Sequence, residues 1–357
     1  LTSRIRPLHL RPGMSVVLSL TDPTYRAPNR RGPFDRLLLS LINDPRDLPF
    51  LYFILRANLL LLPTAAYLYW PGRFSWPVAA VYAALETFLM GPFILMLHNT
   101  CHRTLFKRRY RLLNHYIPWC LGPLFGETPD TYYAHHVGMH HPENNLRDDL
   151  SSTMRYRRDS ALHFASYFLR FFFGSIVELT AYHARRRRYK LLRSALAGEL
   201  LFYVVVVLLA MLNWRATLVV FVLPFLGARF GMMAGNWAQH AFIDPADPAN
   251  PYRNSLTCIN CTYNRRCFND GYHIGHHVSA TRHWTEHPEE FLEHRAEYAR
   301  QEAIVFQGID FFGVWLCLML KRYDLLARRY VNLHAEPRSE AEIVALLKSR
   351  TQPIPAT

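Results

Sequence analysis

The sequence predicts an all-α integral membrane protein: four transmembrane helices in two hairpins, beneath a mostly helical cap that carries a metal site. Three observations predict it. Four runs are apolar over the ~20 residues that a bilayer span needs. Lys and Arg are concentrated on one side of these runs. Histidines, 18 in a chain of 357 residues, gather where each hairpin returns to that side.

The elements follow in order. Residues 1–49 form a basic cytoplasmic segment; the first 36 residues hold seven Arg against Asp22 and Asp35. The first long apolar run begins near Phe50, too far along for a secretory signal. A basic juxtamembrane segment is expected there, ahead of a transit peptide. The spans are expected at about 50–70, 77–97, 196–214 and 216–235, with tight turns inside each pair. Ser160–Tyr182 is also apolar but carries Arg170 and Glu178, so an interfacial or cap helix is expected. Leu112–Phe125 is too short to span and reads as re-entrant or interfacial. Residues 301–357 form a C-terminal cap helix, a short amphipathic helix (SEAEIVALLK) and a tail.

Orientation comes from the loops. The two short turns hold Arg73 and Arg215 alone. The other side holds Arg103, Lys107, Arg108, Arg109, Arg111 and the run ARRRRYKLLR at 184–193. The chain is therefore expected to be multi-pass with its cap on the cytoplasmic face.

Composition excludes other classes. Half of the residues are hydrophobic and 14% aromatic, enough to bury a core, so a disordered chain is excluded. The formal charge of +14 suits an anionic membrane surface or acidic partners. With the apolar runs beside it, no nucleic-acid partner is expected. Cys101, Cys258, Cys261 and Cys267 lie near the His-rich segments and are expected to be reduced. Cys258, Cys261 and Cys267 lack a nearby fourth cysteine for a zinc knuckle.

The histidines carry the chemistry. Residues 10–97 and 184–239 contain none. Directly after the second span comes HNTCH at 98–102, then HHVGMHH at 135–141, then NWAQH at 236–240 after the fourth span, and HIGHH at 273–277. Side chains at i and i+3 or i+4 share a helix face. His98 and His102 fit this spacing, as do His136 and His140, and His273 with His276 and His277. Neutral imidazole suits iron, zinc, copper or nickel. A lone HxxxH is commonplace, and HHVGMHH alone would pass for a polar loop. Three clusters plus His240, all at span ends, point to metal. Eight or nine imidazoles exceed what one ion takes and suit two.

These motifs, in this order and with this span layout, resemble the membrane fatty acid desaturases and their hydroxylase relatives, whose three histidine boxes read HxxxH, HxxHH or HxxxHH, and HxxHH. The likeness covers roughly residues 50–300. It implies two irons held by His98, His102, His136, His140, His141, His273, His276 and His277. His240 is a further ligand candidate, and Asn236, four residues earlier, matches a family Asn that acts through water. Box 2 departs from the pattern in opening with His135–His136; His136 is favoured because it keeps the i, i+4 spacing to His140. His283 and His287, beyond box 3, are expected to line the cap or bind nothing.

Acids should orient the imidazoles through their other ring nitrogen. Asp270 is the first candidate, with Glu143, Asp148 and Asp149 beside it. Asp310 and Glu178, inside apolar runs, should have a partner or face a polar cavity.

The resemblance implies O2-dependent oxidation of an unactivated C–H bond in a long fatty acyl chain. The electrons come from an external donor such as ferredoxin or cytochrome b5 with its reductase. Desaturation is the first reading; decarboxylation to a terminal alkene and fatty acyl or alkane hydroxylation are the alternatives. The acyl substrate arrives as free acid, CoA ester, carrier-protein conjugate or membrane lipid. Arg103, Lys107 and Arg185–Arg188 are candidates to hold an acidic head. A membrane metal transporter or sensor is the alternative from another class. It would place ionisable ligands near the bilayer midplane, where these spans hold no histidine.

Overall fold

The computed structural model describes residues 19–354 apart from residue 29. The remainder of the basic N-terminal segment and the end of the tail lie outside the described residues. Helix dominates, and four helical stretches are long and apolar enough to cross a membrane: Pro45–Tyr69, Trp76–His102, Ala161–Arg185 and Tyr189–Gln239.

The first hairpin joins α1 (Leu48–Tyr69) to α2 (Trp76–His102). Gly72 takes a positive φ of 71° in the connecting turn, which an L side chain would resist. Ala57, Leu61 and Leu68 of α1 are buried together with Tyr82, Leu89 and Phe93 of α2. Phe93 stacks on Phe125, with ring centroids 4.3 Å apart. The opposite faces carry exposed Leu59, Val81 and Phe88. Such faces are tolerated where the surroundings are acyl chains rather than water.

The second hairpin lies within one helical run. Fifty-one continuous residues, Tyr189–Gln239, would extend ~75 Å if straight, more than twice a bilayer's hydrocarbon core. The break is at Asn213, whose backbone is extended (φ −156°, ψ 92°). It divides α4 (Tyr189–Thr217) and, beyond a π-helical turn at Leu218–Val222, leads into α5 (Leu223–Gln239). The two short spans expected at 196–214 and 216–235 fall on either side of this break.

One expectation is corrected. Ser160–Tyr182 was read as interfacial or capping because of its two charges. It forms the 25-residue helix α3 (Ala161–Arg185, numbered here before α4 in chain order), which length and composition admit as a span. Arg170 Nε lies 2.8 Å from Glu178 Oε1, so the two charges neutralise each other. A second departure is a small parallel sheet in the otherwise helical cap. Strand β1 (Leu256–Ile259) pairs with β2 (Ile304–Gln307) in the register Leu256–Ile304 to Ile259–Gln307. Leu112–Phe125 coils through short 3-10 and π turns, with Leu112 exposed and Leu121, Leu124 and Phe125 buried.

The cap is closed by the C-terminal segment. Helices α7 (Phe311–Met319) and α8 (Glu340–Arg350) share a core with Ala238, Phe242 and β1. Asp310 accepts the Gly313 amide at the start of α7, which explains an acid in an apolar run. The capping box of Ser339 and Glu342 opens α8. Arg158 is fully buried and donates to six carbonyl oxygens, among them those of Ala241, Arg350 and Gln352. It ties the end of the chain to the segment directly after His240.

Candidate metal centre

Each histidine motif sits on or directly at the end of a helical element. The HNTCH motif is the last turn of α2, so the first hairpin delivers His98 and His102 directly to the cap. His240 ends α5, and Thr153 Oγ1 donates to its carbonyl at 2.7 Å. The HIGHH motif is the short helix α6 (His273–Val278; α6 precedes α7 in the chain). The second motif is different. Thr131–His135 is α-helical, but His136–His140 forms a π turn. A π turn brings residues i and i+5 into line.

That turn sets the pairing. His136 Nε2 lies 3.1 Å from His141 Nε2, while His140 faces away to other partners. Nine imidazoles thus fall into two groups. His98, His102, His136, His141 and His276 form one; His140, His240, His273 and His277 form the other. Within each group the ligand atoms all lie within 4.8 Å of one another. His135 belongs to neither; it stacks 6.5 Å from His140 and its Nε2 has no partner. His136 lies in the group of five, beside His141 rather than in one group with His140 at the expected i, i+4 spacing.

The electrostatics favour bare nitrogens. Burial, and after it the neighbouring imidazoles, push His136, His273, His276 and His277 far below the usual histidine range. His141 falls to about 2 and His240 to about 4 for the same reasons. These rings are neutral at physiological pH.

Two rings are held by hydrogen bonds at Nδ1. His140 Nδ1 lies 2.7 Å from Asp149 Oδ2. His240 Nδ1 lies 3.0 Å from the Asn254 carbonyl and 2.8 Å from its Oδ1. Carboxylate and carbonyl oxygens only accept, so each of these Nδ1 atoms carries a proton and turns Nε2 toward the group. His98 Nδ1 lies 3.3 Å from Asp270 Oδ1, an ionic contact. Burial raises the Asp149 carboxyl, but His140 and Ser151 outweigh it and hold it ionised. The donor set of converging, neutral, outwardly anchored imidazoles fits two borderline transition-metal ions.

The candidate acids divide cleanly. Asp149 bonds His140, and Asp270 lies 3.3 Å from His98 rather than beside the nearer-in-sequence His273. Tyr263 donates to Asp270 at 2.7 Å. Glu143 instead accepts from Tyr182 and pairs with Arg186, and Asp148 also pairs with Arg186. Asn236 lies outside both groups; its Nδ2 donates to the Ser151 carbonyl and to Tyr167. Asn254 was missed by sequence reading. It lies 14 residues beyond His240 in a proline-flanked turn, and nothing local marks it. His283 bonds Asp47 at 2.9 Å. His287 is buried between Tyr272 and His276; it touches the group of five but is not part of it. Cys258, Cys261 and Cys267 are free and buried in the cap, and among the described residues none joins a metal-ligand group.

The expected headgroup cations are partly committed. Arg103 pairs with Asp44, Lys107 donates to the carbonyls of Leu39 and Ser40, and Arg188 donates to the Gly138 carbonyl.

A cavity of about 320 Å³ opens against the centre. His98, His136, His140 and His273 form one wall, and Met90, Ile94, Leu179, Met232 and Phe312 supply apolar lining.

Comparison with known proteins agrees. The family described as fatty acid desaturase matches residues 74–308, a stretch that contains all three histidine motifs and His240. No curated protein sequence matches the chain. With the motifs, the apolar helices and this match together, the chain belongs to the fatty acid desaturase family, whose members are membrane-bound oxidoreductases.

Proposed function

We propose that the chain is a di-iron fatty acyl desaturase. One iron is assigned to His98, His102, His136, His141 and His276, and the other to His140, His240, His273 and His277. The observation that carries this reading is the cavity: it is mostly apolar and ends on imidazoles of both groups. When bound, the irons supply O2-dependent removal of hydrogen from an unactivated C–H bond, with two electrons from outside.

The protein's own residues do the remaining work. Ile94, Leu179 and Met232 line a path that fits an acyl chain and excludes water. Asp149 and Asn254 hold two rings in the tautomer that leaves Nε2 free, and Asp270 lies beside a third, His98. Asn236 lines the cavity, and with its amide hydrogens on Ser151 and Tyr167 it is left its Oδ1 to order a water beside the centre. The cap faces the cytoplasm, and its basic surface suits an acidic donor such as ferredoxin or cytochrome b5. The working unit is residues 50–300, flanked by the basic segment 1–49 and closed over by 301–357.

The test is mass-spectrometric profiling of lipids and volatile hydrocarbons from cells expressing the chain, against H276A. A His276-dependent product two hydrogens lighter supports desaturation. A product with one added oxygen, or a terminal alkene one carbon shorter, replaces it with hydroxylation or decarboxylation.

A further inference from the structure

The cavity wall carries a charge that the metal centre does not use. Arg229 lies on α5, two turns before Asn236, about 10 Å along the helix; both residues line the cavity. Arg229 is 5% exposed. Its Nη2 meets Glu199 Oε1 at 2.9 Å, and its guanidinium lies over the Phe225 ring at 4.3 Å. Its Nε has no partner. Glu127, on the same wall, is equally buried and has an unpartnered Oε1. Burial outweighs Arg229 and lifts the Glu127 carboxyl to about 7, so it can hold a proton at neutral pH.

Ionisable groups in a membrane span are costly and call for partners. A structural ion pair needs one arginine and one glutamate. Here a second carboxyl remains, and one guanidinium N–H and one carboxyl oxygen have no partner, on two residues that line an apolar cavity. A guanidinium edge is shaped to take two oxygens of one carboxyl group. An ester or thioester head has no free carboxyl group to offer this pair; a fatty acid has one.

We propose that the cavity takes a free fatty acid, with its carboxyl on Arg229 and Glu127 and its chain lying toward the imidazoles. The inference rests on reading this cavity as the acyl site, and it names the substrate form. Arg229 donates from Nε–H, and protonated Glu127 donates a second hydrogen bond.

The test is equilibrium binding of radiolabelled dodecanoic acid and its methyl ester to the full-length protein in nanodiscs of neutral lipid. Wild type is expected to bind the acid at least tenfold more tightly than the ester. The double variant R229Q/E199Q, which avoids leaving one buried charge unpaired, should lose that preference while ester affinity stays unchanged. Equal affinities in wild type, or a preference that survives in the double variant, overturn the proposal. Should the double variant fail to fold, R229K keeps the charge and loses the fork. It should cut the preference at least threefold, and an unchanged preference overturns the proposal. If acid is preferred but no oxidised product is found, the desaturase reading falls and this one stands. If product forms while acid and ester bind alike, this one falls alone.

Discussion

His140 Nδ1 lies 2.7 Å from Asp149 Oδ2, and the same carboxylate accepts the amides of Asn145 and Ser151 and the Ser151 hydroxyl. The acid is thus fixed before it fixes the ring. Exchanging such a partner typically weakens metal binding ~10–100-fold. D149N should lose iron to a competing chelator at a correspondingly lower chelator concentration, with the overall fold intact by circular dichroism. Iron retention equal to wild type would refute the role.

Adjacent histidines should behave oppositely. H136A removes a nitrogen from the group of five and should lower iron content and abolish turnover. H135A removes a ring that belongs to neither group and should leave iron per protein unchanged. Elemental analysis of the two purified variants decides it.

Gly198 allows α4 to touch the chain ahead of the second motif. A Cβ there would stand 1.9 Å from the Pro129 carbonyl oxygen. Backbone cannot retreat as a side chain does, so G198A should cost ~3 kcal/mol or more. At Gly231, also helical, a Cβ meets nothing within 4 Å. G231A should be neutral or stabilising by up to ~1 kcal/mol. Thermal unfolding in one detergent compares them directly.

Arg158 bonds six carbonyls from a fully buried position. Burial draws its pKa down to about 9, still charged at neutral pH. Lysine cannot reproduce the planar fork. R158K should lower stability by ~3 kcal/mol or more and should expose the C-terminal segment to protease. Limited proteolysis that cuts no faster than in wild type would contradict this.

Metal removal should destabilise the whole cap. Ions that bind only the folded chain stabilise it by ~2.7 kcal/mol at a hundredfold excess over Kd. Chelation should lower the unfolding temperature by several degrees, and ferrous iron should restore it. An unfolding temperature indifferent to iron would mean the imidazoles hold no ion.

Much of this was legible in the sequence because its signals are local. His98 and His102 share a face at the end of an apolar run, and a helix with that spacing can do little else. His273, His276 and His277 are as plain. The division of the nine rings was not legible. It depends on a π turn at His136–His140, and no residue type there announces the extra residue per turn. Nor was the pairing of Arg170 with Glu178, which turned two apparent objections to a span into one neutral unit. Asn254 and Arg229 were missed for a related reason. Their partners, His240 and Glu199, are brought to them by tertiary packing alone.

The π turn has a consequence for how the centre fills. A single five-residue segment sends His136 and His141 to one group and His140 to the other, and α6 likewise serves both. An ion entering either group freezes backbone from which the other must draw a ligand. The two ions are therefore expected to load with positive cooperativity, and a titration that reads iron per protein should show little of the half-loaded form.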